Sequence, residues 1–407
     1  MKPVWIDEKR NHYINENELV ETINSYEKLP CYIHAADPYE MMVQLLVGMI
    51  HGEEMVLLDA DFSEKELIAL RIDYQELGST VAVSREPLAS MSELVDKVVS
   101  APWKLWMFTS GTTGLPKKVC HSYATLGRNV RKSDRHRDDI WAFAYRLSHM
   151  AGIQVLLQAL VNENTMVYVF EDKPQSIVKK LKKYECTHIS ATPTFYRNIL
   201  PYLNGITLQL KHLTTGGEKY DEDLCNKLQV AIPNVKMHNI YASTETGSIL
   251  NAVGKGFSIP EEYKEKVKIS SEGELLIHYS LLGEFPLEGE WYNTHDLVEE
   301  EDGLLYFLSR KSDLLNVGGY KVNPLEVEAA MQKVPGISDC LVYGQKNSVL
   351  GTILLADVVL EEGFAEKEVK KSIRQYLQSE LQDFKIPRII QFVTDIKRTK
   401  SGKKVRK

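Results

Sequence analysis

No stretch of this 407-residue chain is both long and apolar enough to cross a bilayer. The opening Met1-Lys2-Pro3-Val4-Trp5-Ile6-Asp7 carries polar and acidic residues where a secretory signal has its apolar centre, so the expected protein is soluble and cytoplasmic. Cysteine is scarce. Cys31, Cys120, Cys186, Cys225 and Cys340 form no C-x-x-C pair, which argues against a disulfide framework or a cysteine-built structural zinc site. There is no surplus of positive charge either: 49 basic against 56 acidic side chains give a net charge of -7, which does not suit nucleic-acid binding. No internal repeat or low-complexity tract occurs, and no G-x-x-x-x-G-K-[ST] register can be laid on the chain, which disfavours a GTPase or a P-loop kinase.

What remains is an ordinary globular composition, 43% hydrophobic and 26% charged, in a chain longer than one compact domain usually runs. Met41, Leu45, Leu46 and Met49 repeat with helical spacing, Met55-Val56-Leu57-Leu58 reads as a short buried strand, and Ser63 is placed to cap a further helix. The alternation recurs from Thr187 to Leu200 and from Leu208 to Tyr241, predicting a parallel sheet covered by helices. Near Glu272 the pattern changes to short β-like runs, Glu274 to His278 and Leu304 to Phe307, with Gly273, Gly283, Gly289 and Gly303 expected at turns between antiparallel strands. A helix opening at Asn323-Pro324, strands at Cys340 to Tyr343 and Ile353 to Leu360, and a helix from Glu366 to Leu381 make a second, α+β unit. The expected fold class is α/β: an N-terminal domain over 1–309, a hinge at 310–313, and a small mobile C-terminal domain over 314–407. Composition alone reads the basic stretch from Lys397 as a solvated tail.

The densest local signal is Phe108-Thr109-Ser110-Gly111-Thr112-Thr113-Gly114-Leu115-Pro116-Lys117-Lys118, following a strand-like run. Glycines let backbone N–H groups approach anionic oxygens, hydroxyls add donors, and Lys117 offers a point charge, so the loop suits a polyphosphate. Alone, a Ser/Thr/Gly run reads first as a flexible surface turn. Downstream, Ile240-Tyr241-Ala242-Ser243-Thr244-Glu245-Thr246-Gly247 sets an aromatic ring, hydroxyls and a carboxylate at a strand end, where open α/β sheets bind ligands. Tyr292-Asn293-Thr294-His295-Asp296-Leu297 and Ser309-Arg310-Lys311-Ser312-Asp313 add a carboxylate for ribose hydroxyls and a guanidinium for a nucleotide.

Taken in order, these segments closely resemble the adenylate-forming superfamily of acyl-CoA synthetases, nonribosomal-peptide adenylation domains and luciferases. The resemblance spans nearly the whole chain. It rests on T-S-G-T-T-G-L-P-K at Thr109 to Lys117, Y-A-S-T-E at Tyr241 to Glu245, and Y-N-T-H-D-L at Tyr292 to Leu297. It continues through R-K-S-D-L-L-N-V-G-G-Y-K-V from Arg310, F-K-I-P-R from Phe384 and R-T-K-S-G-K from Arg398. It implies that Thr109, Ser110, Gly111, Thr112, Thr113, Gly114 and Lys117 wrap the β- and γ-phosphates of ATP. Thr244 would contact the α-phosphate, Glu245 would hold Mg2+, and Gly216, Gly217, Glu218 and Tyr241 would flank the adenine, with Ala242 and Ser243 also among the cofactor-binding residues. Asp296 with Arg310 would take the ribose, and Lys403, in the basic tail, would reach the reacting carboxylate and α-phosphate. Ser312 would be the hinge.

Several positions depart from the family pattern. Lys118 stands where a glycine commonly follows the first lysine, His295 and Ser309 each replace a common glycine, and only about a hundred residues precede the phosphate loop, implying a shortened N-terminal region. The segment Tyr145 to Gly152 resembles the one that enters the acyl pocket. His149 is then a catalytic candidate or an ordinary core histidine. Met150, where amino-acid-activating relatives carry aspartate, argues against an amino-acid substrate or is plain packing. Ala242, often glycine in relatives, should narrow the pocket floor, which favours an aromatic or short-to-medium acyl acid. The implied acceptor is the thiol of CoA, or alternatively the phosphopantetheine of an acyl or aryl carrier protein. The basic residues Arg128, Arg131, Lys132, Arg135 and Arg137 could meet such a partner but read more simply as a solvated helix face. A non-catalytic nucleotide-binding protein is the remote alternative, and the retention of Lys117, Glu245, Asp296, Arg310 and Lys403 speaks against it.

Overall fold

The computed structural model describes residues 2–83, 86–109, 117–218, 220, 222–310, 315–347 and 351–396. They fall into two compact units: one of residues up to Ala60, Gln75–Thr109 and Lys118–Ser309, the other of Asp61–Tyr74 and the residues from Arg310 onward.

The first unit is built on an eight-stranded sheet. Its spatial order is Gly247–Ala252, Lys236–Ser243, His212–Gly216, His188–Ala191, Ile140–Phe143, Thr165–Tyr168, Pro3–Asp7 and His12–Asn15. The six inner strands run parallel and each edge strand pairs antiparallel. Because side chains alternate across a strand, neighbouring residues enter opposite cores. Trp5, Phe143 and Met166 join one core, while Ile6, Ala142 and Val167 join the other. The first core is filled by the helices Pro38–Ile50 and Met150–Val161, which are apolar nearly all round, and it also takes residues of a second sheet. That sheet has the order Tyr32–Ile33, Glu54–Leu57, Lys104–Thr109 and Lys117–His121. The other face of the large sheet is covered by Pro174–Lys183, Pro193–Ile199 and Glu222–Ala231. Four antiparallel strands, Val267–Ile269, Glu274–His278, Trp291–Glu301 and Leu304–Arg310, form the expected β-rich part with a core of its own.

Of the glycines expected at turns there, Gly273, Gly289 and Gly303 do take positive φ, but Gly283 does not. Gly283 is required for a close approach instead: a Cβ there would lie 2.6 Å from the His121 ring and 2.7 Å from the Cys120 carbonyl oxygen. A second expectation also fails. The basic stretch from Arg128 to Arg137 is no helix face, since the helix Tyr123–Leu126 ends before it and only a single 3-10 turn, Asp134–His136, follows. Arg128 is turned inward, donating to the carbonyls of Thr125 (3.1 Å) and Leu281 (2.9 Å).

The second unit pairs Ile337–Asn347, Gly351–Leu360 and Ile389–Phe392 in one sheet, against which Pro324–Met331 and Glu366–Glu380 pack. Lys385 of the F-K-I-P-R motif is buried between Glu66 (3.1 Å) and Glu326 (2.9 Å). Burial opposes its charge, but the two carboxylates outweigh burial and raise its pKa, which keeps the ammonium ionised. Among the described residues, no helix is long and apolar enough to cross a membrane.

Candidate active site

The strands His212–Gly216 and Lys236–Ser243 run parallel with Gly216 opposite Ile240, so Gly216, Gly217 and Glu218 leave the sheet beside Tyr241 to Glu245 at the carboxyl edge. Gly217 has φ +77, and a Cβ on Gly216 would press to 3.2 Å of the Ile240 carbonyl oxygen. Backbone conformation favours glycine at 217, and close packing favours it at 216.

The turn after Ser243 is closed by its own hydroxyls. Thr246, fully buried, offers Oγ1 to the Ser243 N–H at 3.2 Å and donates to the Gly247 carbonyl at 2.8 Å, while Gly247 turns the chain with φ +65. Two backbone carbonyls then anchor the turn to its surroundings. The Thr244 carbonyl accepts from His121 Nε2 at 2.6 Å, and the Glu245 carbonyl accepts from the Gly283 N–H at 2.8 Å. The side chains of Thr244 and Glu245 make no hydrogen bond or ion pair among the described residues and remain half-exposed, which suits ligand contacts.

His121 carried no local sequence signal. A carbonyl can only accept, so Nε2 bears the ring proton and Nδ1, 3.0 Å from Thr125 Oγ1, is the acceptor of a neutral imidazole. Burial pushes its pKa down to about 4, with the Thr244 carbonyl opposing. The folded value lies below the ordinary 6.5, so the unfolded chain takes up a proton first and stability falls as pH drops from about 6.5 to about 4. The whole effect is on the order of 3 kcal/mol. His121→Gln keeps a donor for Thr244 without titrating. Urea unfolding at pH 7, 6, 5 and 4.5 should show a shallower pH slope for the variant, by up to one proton or about 1.4 kcal/mol per pH unit. Equal slopes for the two proteins would remove His121 from this role.

Asp296, 6% exposed within Trp291–Glu301, accepts from the Tyr241 hydroxyl at 2.6 Å, and the Tyr241 ring stacks on Phe307 at 4.2 Å. The carboxylate thus has a fixed orientation beside the turn. His295 takes φ +57, which accounts for the glycine common at this position in the family pattern. The strained conformation is held by the Asn293 side chain, which accepts from the His295 N–H at 2.8 Å, and by Glu274, 3.1 Å from the ring.

At the neighbouring strand ends Glu218 is largely buried, with Oε2 accepting from Thr194 Oγ1 at 2.9 Å and forming an ion pair with the Arg197 guanidinium at 3.8 Å. Burial raises its pKa, opposed by hydrogen bonds from Thr194 and Thr192 and by the charge of Arg197. His149 is not a core residue. It is the N-cap of Met150–Val161, with 34% of its side chain exposed and Nε2 3.4 Å from Asp59 Oδ2. Burial alone would raise the Asp59 pKa, but the charge of His149, hydrogen bonds from His149 and Ser148, and Arg146 hold it well below the usual carboxylate range. Met150 joins the main core, in line with the packing reading, and Gly152 is required because a Cβ would clash with the Arg146 carbonyl at 2.1 Å.

Ser110, Gly111, Thr112, Thr113, Gly114, Ser312 and Lys403 lie outside the described residues. Thr109 and Arg310 are described as strand ends only, and Lys117 is half-buried at the start of its strand. The structure brings Tyr241, Asp296, Thr244, Glu245 and Gly216 to Glu218 to one edge of the sheet region. Sequence reading missed His121, Asp59 and the packing role of Gly283.

The family described as AMP-binding enzyme matches residues 71–278, and the AMP-binding enzyme C-terminal domain matches residues 326–403. A mitochondrial acyl-coenzyme A synthetase of Mus musculus is 26% identical over 344 residues, covering 74% of this chain and 60% of the relative. A 2-succinylbenzoate–CoA ligase of Listeria innocua is 25% identical over 427 residues, covering 96% of this chain and 88% of the relative. Among solved structures, an o-succinylbenzoate CoA synthetase double mutant of Bacillus subtilis, bound to a product analogue, aligns with a TM-score of 0.74 at 20% identity. The alignment covers 99% of this chain and 94% of that one. The same Bacillus subtilis enzyme, in complex with ATP and magnesium ion, aligns with a TM-score of 0.59 at 20% identity, covering 100% of this chain and 96% of that one.

Proposed function

The chain belongs to the AMP-binding enzyme family, and on that premise we propose that it joins a carboxylic acid to the thiol of CoA through an acyl-adenylate, with release of pyrophosphate and AMP. The observation that carries this reading is the anchored turn Ser243 to Gly247, with the half-exposed side chains of Thr244 and Glu245 beside the fixed carboxylate of Asp296. In the first step a substrate carboxylate oxygen attacks the α-phosphorus of ATP and the bond to pyrophosphate breaks. Two anions must meet, so the protein contributes fixed donors and charge rather than a covalent nucleophile. On this reading Thr244 donates to the α-phosphate and Asp296 accepts from the ribose hydroxyls, with Tyr241, which donates to Asp296 at 2.6 Å, holding that carboxylate in place. Glu245, a carboxylate outside any hydrogen bond among the described residues, fits a hard cation, and Mg2+ held there would neutralise phosphate charge. In the second step the thiol attacks the acyl carbonyl and AMP leaves.

The acid we favour is aromatic or of short-to-medium chain length. Met150, part of the core, offers no counter-charge to an amino group, and Ala242 adds a methyl group near the end of the strand that leads into the turn. Pyrophosphate exchange across aromatic, short-chain and long-chain acids tests both statements. Exchange should appear with the first two classes, depend on Mg2+, and be followed by thioester formation when CoA is added. ADP and phosphate as direct products would reject the mechanism. Ala242→Gly should extend the accepted chain length, because a lost methyl deepens a pocket by about one methylene, worth roughly 1–3 kcal/mol in discrimination. An unchanged substrate profile would remove Ala242 from the pocket. The alternative acceptor, a carrier-protein phosphopantetheine, presents the same thiol arm, and it is supported if the loaded carrier accumulates thioester while free CoA does not.

A further inference from the structure

At the opposite, amino-terminal edge of the parallel strands three side chains converge that the nucleotide chemistry does not use. We propose that His136, Asp139 and His188 form a binding site for a divalent transition-metal cation of the Zn2+ type. One ligand atom from each lies within 4.8 Å of the others.

The fold assembles the site from two adjacent strand starts. Asp139 immediately precedes Ile140–Phe143, and His188 opens the parallel neighbour His188–Ala191, paired with Trp141. The two starts are stapled by Thr187, whose Oγ1 accepts from the Ile140 N–H at 2.8 Å. His136 reaches in from the preceding 3-10 turn, its Nδ1 2.7 Å from Asp139 Oδ2.

Each donor is oriented before any metal arrives. The His188 ring lies between Trp141, at 4.9 Å, and His212, stacked at 4.7 Å and 13°. Its Nδ1 is 2.8 Å from Thr187 Oγ1. That hydroxyl also receives the Ile140 N–H and lies 3.3 Å from Ile140 O and 3.5 Å from Asp139 Oδ1, so it fixes the ring whichever imidazole nitrogen carries the proton. Nε2 of the same ring faces Asp139 Oδ2 at 3.6 Å. In the tautomer that donates from Nδ1 to Thr187, Nε2 and Asp139 Oδ2 are two electron-pair donors facing each other, which suits a cation between them, and a histidine donating its second nitrogen to a protein oxygen is the usual arrangement around a bound metal. Asp139 divides its oxygens: Oδ1 is near Lys211 (3.5 Å) and Thr187, while Oδ2 faces the two imidazoles. Tetrahedral Zn–N and Zn–O bonds of about 2.0–2.1 Å place ligand atoms about 3.3 Å apart, so the His136–Asp139 contact has to open by roughly 0.6 Å and the widest separation, up to 4.8 Å, has to close by up to roughly 1.5 Å. The His136 side chain is 42% exposed and can make that movement, and the exposure leaves room for water as fourth ligand.

The test uses the full-length, nucleotide-free protein with its thiols alkylated, titrated with Zn2+ against a chromophoric chelator and separately with Co2+. The parent should bind one equivalent of Zn2+, show the visible absorption of four-coordinate Co2+, and melt at a higher temperature with Zn2+ than without. His136→Ala, at a half-exposed position, and Asp139→Asn should each lower Zn2+ affinity at least tenfold and lose the thermal shift. Absence of stoichiometric binding by the parent would overturn the proposal, as would undiminished binding by a folded His136→Ala protein. In either outcome the three side chains would be an ion-pair and ring-stacking cluster that secures the strand starts.

Discussion

Replacing Lys403 by alanine is expected to lower acyl-adenylate formation by about two to three orders of magnitude, the loss typical when one preorganised donor to a developing anion is removed. Conversion of a synthetic acyl-adenylate with CoA should stay within about threefold of the parent rate. Lys403 lies outside the described residues, and its role rests on the R-T-K-S-G-K motif from Arg398. The two half-reactions differ in electrostatics. In the first, a carboxylate approaches a polyphosphate, and an ammonium that bridges them offsets the repulsion. In the second, a thiol approaches a neutral carbonyl and AMP departs, so the same charge has much less to stabilise. Gly402 beside the lysine allows the tight turn that a presenting loop needs. A solvated basic tail predicts no large loss in either assay, and a general contribution to nucleotide affinity predicts a loss in both. Equal damage to both half-reactions, measured with the acid that supports exchange, would refute the assignment.

Glu245→Gln should reduce pyrophosphate exchange about a hundredfold or more and shift its Mg2+ dependence to at least tenfold higher concentration. The substitution is nearly isosteric and removes only the charge. It should also leave the fold intact, because Glu245 is tied to its surroundings through its backbone carbonyl, which accepts from Gly283, and its half-exposed side chain holds nothing else among the described residues. Thermal unfolding should therefore be unchanged to within about 0.5 kcal/mol. Unaltered Mg2+ dependence in the variant would place the metal elsewhere. Destabilisation together with lost activity would mean that the carboxylate serves the turn and not the metal.

Much of the fold was legible because its signals are local. The apolar spacing of Met41, Leu45, Leu46 and Met49 does mark the helix Pro38–Ile50, and Ser63 does cap Glu64–Ala69. The contiguous motifs around Tyr241 and Asp296 did identify groups that the fold brings into hydrogen-bond contact. Local pattern misled where burial decides. The run of basic residues from Arg128 looked like a wet helical face, yet the Arg128 guanidinium satisfies two carbonyls from within the protein. Gly283 looked like one turn glycine among four, but it is small so that His121 can reach Thr244.

By itself the sequence determined the order of elements, the family and the residues carried in unbroken motifs, since side-chain periodicity, capping and the family's motifs are all written within a few consecutive positions. Tertiary structure alone decided which distant groups hold those motifs in place. His121 lies 123 residues from the carbonyl it secures, Ser148 lies 89 residues from Asp59, and Asp139 meets His188 only because two strands start side by side. Such partners leave no mark in a sequence window, because hydrogen bonds and charge pairs depend on distance in space, and only the parallel crossovers of the sheet bring their atoms within reach.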